Sequence, residues 1–294
     1  MLSVKERYRP MVSSLRATAS NAAVVVGPTL AGVAIFFNYI KGIFIIAGVC
    51  YLIGVCLILF FTKASAGSTA NSKTFSLSVY KEIGQNKRFI NLLIYMFLTW
   101  FLYAQLFITI PDYARLFTNH VEQVFLINGM MGILLQYPTG VVMSKVNNPN
   151  VFLTLGTILF PFSFFILGFI QGQFGLYIGI ILFTLGELFM FPTVEAMVAD
   201  FSSDKSMAAY FGVSSLGDGL GRPAGSFLGS ILFGMVPSYS FGWYVFSFVG
   251  FGLFLYYFIF LRVIFFRLIH PPRIRYLLNH NYIVWTKEKH PVIN

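Results

Sequence analysis

Apolar residues fall along this chain in long runs separated by short polar joints. Eight runs, at 13–36, 40–62, 89–111, 121–144, 151–171, 174–198, 208–236 and 240–266, reach the roughly 20 residues that a membrane-crossing helix requires. The pattern predicts an all-α polytopic membrane protein, a helix bundle with eight transmembrane helices. One joint is different: residues 63–88 are polar and rich in Ser, Thr, Lys and Gly. It divides the chain into a two-helix unit at 1–62, a cytoplasmic linker at 63–88, a six-helix bundle at 89–266 and a basic tail at 267–294.

Composition agrees, with 57% hydrophobic and 10% charged residues. Basic residues gather on the cytoplasmic side of short loops, and here all of the 20 except Lys41, Arg115 and Arg222 fall on one side of the predicted map. That places both termini in the cytoplasm and the chain in the cell (inner) membrane as a multi-pass protein. The net charge of +10 is carried by loops and tail beside membrane spans. Lipid headgroups rather than nucleic acid are therefore the expected partner. The N-terminus lacks the short apolar core and cleavage site of a signal peptide. Cys50 and Cys56, six apart within one predicted helix, do not share a face for a disulfide. His120, His270, His280 and His290 have no metal-ligand spacing, so no metal and no cofactor is expected. The spans hold no Ser-His set and no paired His and acid, which argues against an enzyme.

Three charges stand near the middle of apolar runs rather than toward their ends: Glu187, Asp218 and Arg222. A charge at the centre of a membrane helix costs at least about 2.5 to 3.5 kcal/mol, so such residues usually face a cavity or a partner. Asp218 and Arg222, at i and i+4, share a helix face and can pair with each other. A structural pair is the favoured reading for them, with substrate contact as the alternative. The pairing leaves Glu187 as the titratable group, expected either to couple protons or recognise a cation, or else to lock its helix to a neighbour by a hydrogen bond. Trp100, Tyr103, Gln105 and Gln136, with some of the 35 Phe, are candidates to line a greasy pocket for aromatic or cationic compounds.

The first and seventh predicted spans share a glycine-proline pattern. The first reads SNAAVVVGPTLAG, with Gly27, Pro28 and Gly32; the seventh reads SSLGDGLGRPAGSFLG, with Gly221 and Pro223. Small residues let another backbone approach closely, and proline removes a helical hydrogen bond and bends the span. These residues resemble the major facilitator superfamily, and within it the drug:proton antiporter type. The fifth of that family's twelve helices carries a signature G-x8-G-x3-G-P-x2-G-G, met here by Ser14, Ala23, Gly27, Pro28, Ala31 and Gly32. The sixth predicted span, with Gly186, Glu187 and Pro192, is similar to the family's tenth helix, and the seventh is similar to the eleventh. The join after the fourth span resembles the second-half loop signature, keeping Gly140 and Lys145, with Ser144, Asn147 and Asn148 at its other positions.

The resemblance implies alternating-access transport of a small, amphipathic molecule, with proton-coupled efflux as the direction set by the first span's motif. The partners it implies are a small-molecule substrate, protons and the lipid bilayer. It also implies that the family's first four helices are missing from this sequence, so that a second chain or an N-terminal half is required. The alternatives are a non-transporting or regulatory membrane fragment, and a nutrient-uptake carrier of the same fold.

Overall fold

The computed structural model describes Leu15, 18–23, 25–27, Leu30, Val33, 37–61, 77–146, 150–203 and 206–261. All elements among these residues are helical, as expected where lipid offers no partner to a backbone amide or carbonyl and each helix must satisfy its own. They run α1 (Ile40–Phe61), α2 (Leu77–Gln85), α3 (Lys87–Tyr103), α4 (Thr109–Ala114), α5 (Glu122–Lys145), α6 (Asn150–Phe169), α7 (Gln173–Phe201), α8 (Met207–Met235) and α9 (Tyr239–Tyr256). A 3-10 turn at Ala104–Leu106 follows α3, and a π-helical turn at Tyr257–Leu261 follows α9.

Six of the described helical stretches are long and apolar enough to cross a membrane, where the sequence predicts eight. The first predicted span lies largely outside the described residues, which show only a short apolar helix at Thr18–Gly27. The seventh is α8, a helix of 29 residues, about 44 Å at 1.5 Å per residue. Its length suffices, but Asp218, Arg222 and its many glycines make it less apolar than the six. The third span is also not one rod: its helix stops at Tyr103, passes through the 3-10 turn and resumes as α4. Part of the stretch read as a linker is helical as well. In α2, Ile83 is buried, and the helix packs on α3 and α8. Residues 62–76 and the tail from 262 lie outside the described residues.

Four helix pairings organise the bundle. α6 packs along both α7 and α9, α3 packs along α8, and α5 lies against α7. Aromatic rings fill the centre: Trp243, Phe164, Phe160 and Phe183 are fully buried. Close backbone contact tightens the α6–α7 crossing, where a Cβ at Gly156 would stand 2.8 Å from the Gly186 carbonyl oxygen. α1 is unlike the rest, since Phe44, Tyr51 and Phe60 on it are 75%, 79% and 84% exposed. Such a surface suits lipid, which is as apolar as the side chains themselves.

Candidate functional site

A stripe of glycines sets α8 against α3. Gly217, Gly221, Gly225 and Gly229 recur every fourth residue, share one face and are all buried. A Cβ at Gly221 would stand 2.6 Å from the Phe97 carbonyl oxygen and 2.9 Å from Trp100 Cβ, and one at Gly217 would stand 2.9 Å from Met96 Cβ. Residues larger than glycine would hold the two backbones apart. Further along, Gln105 clamps the same seam where α3 ends. Its Nε2 donates to the Gly225 carbonyl at 3.0 Å and to the Phe101 carbonyl at 3.1 Å, while its Oε1 accepts from Thr109 Oγ1 at 2.9 Å. Gln105, a pocket candidate in the sequence, is thus a structural clamp.

Asp218 and Arg222 each follow a stripe glycine by one residue, so the stripe fixes them beside α3. Arg222 Nε pairs with Asp218 Oδ1 across one helical turn, and the two side chains remain 42% and 40% exposed. The guanidinium carbon lies 4.3 Å from the centre of the Trp100 ring and 5.5 Å from that of Tyr103. A cation over an aromatic face is attracted by the ring's electron density, which adds a second anchor to the ion pair. Trp100 is itself stacked on Phe191 of α7, with ring centres 4.4 Å apart.

Glu187 sits on α7 at 5% exposure. Its Oε1 accepts from the Tyr103 hydroxyl at 3.2 Å, and its Oε2 accepts from Asn128 Nδ2 of α5 at 2.8 Å. The same Asn128 amide donates to Thr184 Oγ1 at 3.0 Å, one turn before Glu187. Both carboxyl oxygens are therefore satisfied, as a buried polar group requires. A tyrosine hydroxyl can donate to a carboxylate or accept from a carboxylic acid. The cage can hold Glu187 with or without a proton.

Tyr103 is where the two groups of charges meet, its hydroxyl on Glu187 and its ring facing Arg222. The tertiary structure thus brings Glu187, Asp218 and Arg222 together around Trp100 and Tyr103, both of them pocket candidates. Gln136 is buried on α5, and its Nε2 has no hydrogen-bond partner among the described residues. Asn128 and Thr184 escaped the sequence reading. A lone amide in an apolar run does carry a signal, since leaving it unpaired in an apolar medium costs several kcal/mol.

The remaining candidates are more dispersed. At Gly27 no described atom lies within 4 Å of a Cβ position. Close approach by that segment falls instead on glycines of α5, with Val25 against Gly129 and Asn21 against Gly132. Pro28 and Gly32 lie outside the described residues. Pro223 lies within α8, two residues beyond Gly221. Gly140 is buried in α5 and Lys145 is that helix's exposed last residue, while Asn147 and Asn148 lie outside the described residues.

A sequence model of the Major Facilitator Superfamily matches residues 1–226. The chain belongs to this superfamily. Two similar proteins of Bacillus subtilis (strain 168), YqjV and YttB, are each described as an uncharacterized MFS-type transporter. YqjV is 28% identical over 238 residues, covering 77% of this chain, and YttB is 26% identical over 224 residues, covering 73%. The chain spans about half the length of these relatives, 57% and 55% respectively. Membership in this superfamily, with six described stretches able to cross a bilayer, makes it a multi-pass membrane protein of a transport family rather than of an enzyme family.

Proposed function

We propose that the chain serves proton-coupled efflux of a small, amphipathic molecule by alternating access, as the part of an antiporter that carries both the proton site and the substrate site. Glu187 exchanges the proton, and the half-open Asp218–Arg222 pair beside Trp100 meets the substrate. One observation carries this reading: Tyr103 holds buried Glu187 through its hydroxyl while its ring stands 5.5 Å from the exposed cation. A change at either group thereby reaches the other through one side chain. The membrane orientation that fits has both termini in the cytoplasm of a cell (inner) membrane, with residues 112–120 outside. Reporter fusions after Ser72 and Asn119 test it by giving opposite signals.

The deciding experiment is dye efflux from vesicles under an imposed pH gradient. Glu187→Gln keeps the shape and hydrogen bonding of the side chain but cannot ionise. Loss of gradient-driven efflux with normal insertion supports the assignment. Undiminished efflux removes Glu187 from the coupling path and leaves Asp218 as the acid to test. The share of the relatives' length that the chain spans favours a second reading, in which transport needs a second copy or a complementary half to complete the cavity. Efflux by the chain alone, compared with efflux after fusion to an N-terminal half from a related carrier, separates the two.

A further inference from the structure

We propose that the substrate site beside α8 takes an arylalkanoate, a planar ring carrying one carboxylate on a short aliphatic arm, with the carboxylate on Arg222 and the ring along the aromatic residues at and beyond the end of α3. The proposal rests on the reading of the Asp218–Arg222 face as the substrate site and adds the chemical class that this face selects. Arg222 is bound side-on. Asp218 takes Nε, and these two paired atoms are themselves shielded from solvent. The 42% exposure of the arginine side chain therefore lies on its other atoms. No further partner of its Nη1 and Nη2 occurs among the described residues. Those two nitrogens form a planar fork, which matches the two oxygens of a carboxylate in a way that a lysine ammonium does not.

The fork is also held in place before any ligand arrives. Asp218 pins its base, and Trp100, backed by Phe191, supports it from one side. A ligand gains affinity when such a group is already ordered, because less freedom is lost on binding. The surface open to an aromatic ring lies at Phe107, which is 37% exposed and rests on the buried Tyr103 with ring centres 5.6 Å apart. Cationic ligands are offered less. Glu187 is buried with both oxygens accepting bonds, from Tyr103 and Asn128, and Asp218 already gives Oδ1 to Arg222. Among the described residues, Asp218 Oδ2 is the carboxyl oxygen this face leaves for a cation beside its aromatic rings, against two nitrogens for the paired oxygens of an anion.

One ring with four head groups tests this on the full chain in lipid nanodiscs. Radiolabelled 3-phenylpropanoate is bound at equilibrium and competed with 3-phenylpropanamide, phenethylamine and phenylalanine, with empty nanodiscs as the partition control. The carboxylate is expected to bind saturably, with amide and amine weaker by about tenfold or more, as the loss of a charge-assisted bidentate contact implies. Arg222→Lys, which keeps the charge and loses the fork, is expected to lower carboxylate affinity by about tenfold. Tighter binding of phenethylamine or of phenylalanine, or no saturable binding of any of the four, overturns the proposal. The ranking on the unaltered protein decides the matter even if Arg222→Lys fails to insert. Equilibrium binding needs neither a pH gradient nor transport, so its failure is separate from a failure of the efflux reading.

Discussion

α7 and α8 face the same difficulty, a charge within an apolar helix, and they meet it in opposite ways. On α7 the acid is buried and satisfied from other helices, by Tyr103 of α3 and Asn128 of α5. On α8 the charges satisfy each other one turn apart and stay about two-fifths exposed. Cross-helix satisfaction ties Glu187 to the packing of three elements, so it depends on the fold. Self-satisfaction leaves Asp218 and Arg222 free to meet something that enters from outside. A buried site suits a proton, and an open one suits a molecule.

The contrast breaks most readily at the seam that brings the two helices to Tyr103. Gly221→Leu would drive a side chain into the Phe97 carbonyl and Trp100, so a loss of about 3 kcal/mol or more is expected, at the upper end of overpacking costs. Phe227→Leu on the exposed side of the same helix, where the ring is 65% exposed, is the control. Thermal aggregation in detergent reads both, and equal behaviour of the two variants removes the close-contact account of the stripe.

Next in size is the cage. Asn128→Ala strips the 2.8 Å bond from Glu187 and is expected to cost about 2 kcal/mol, as for hydrogen bonds to charged groups. In the Glu187→Gln background the loss should shrink, because an uncharged partner is cheaper to leave unpaired. A double-mutant cycle followed by unfolding reads that coupling, and strict additivity would place the Asn128 contribution elsewhere.

Smaller again is Tyr103→Phe, which keeps the ring against Trp100 and Phe183 and deletes only the 3.2 Å bond. A loss of about 1 kcal/mol is expected from one hydrogen bond, while efflux uncouples from the pH gradient. Full coupling in this variant would show that the two charge groups act separately. Asp218→Asn should matter least to stability, by no more than about 0.5 kcal/mol, because half-open i, i+4 pairs contribute little. A cost equal to that of Asn128→Ala would erase the distinction between the two helices.

Much of this site was legible before any fold was known. Glu187, Asp218 and Arg222 announce themselves because a charge is costly in lipid wherever the helix goes, and i, i+4 spacing already pairs Asp218 with Arg222. Tyr103 and Trp100 were pocket candidates, but nothing in their local sequence separates them from the other aromatics. The break after Tyr103 was not legible, since no glycine interrupts the run there and Pro111 lies further on. It becomes intelligible beside the clamp formed by Gln105, Thr109 and Gly225. Gly27 is a different case. Its motif invited a close contact that, among the described residues, falls on Gly129 and Gly132 of α5, opposite Val25 and Asn21.

By itself the sequence determined that this is a helical membrane protein, because run length and lipid chemistry leave a chain of such apolar stretches few other choices. It also determined which side chains are costly enough to need a reason. The tertiary structure decided what satisfies them. Which helix lies beside α8 depends on small residues that are as common at idle positions as at contacts. Whether Glu187 meets Asn128 or lipid depends on how α5 is rotated against α7, and that rotation is settled by the packing of the bundle and by no local pattern.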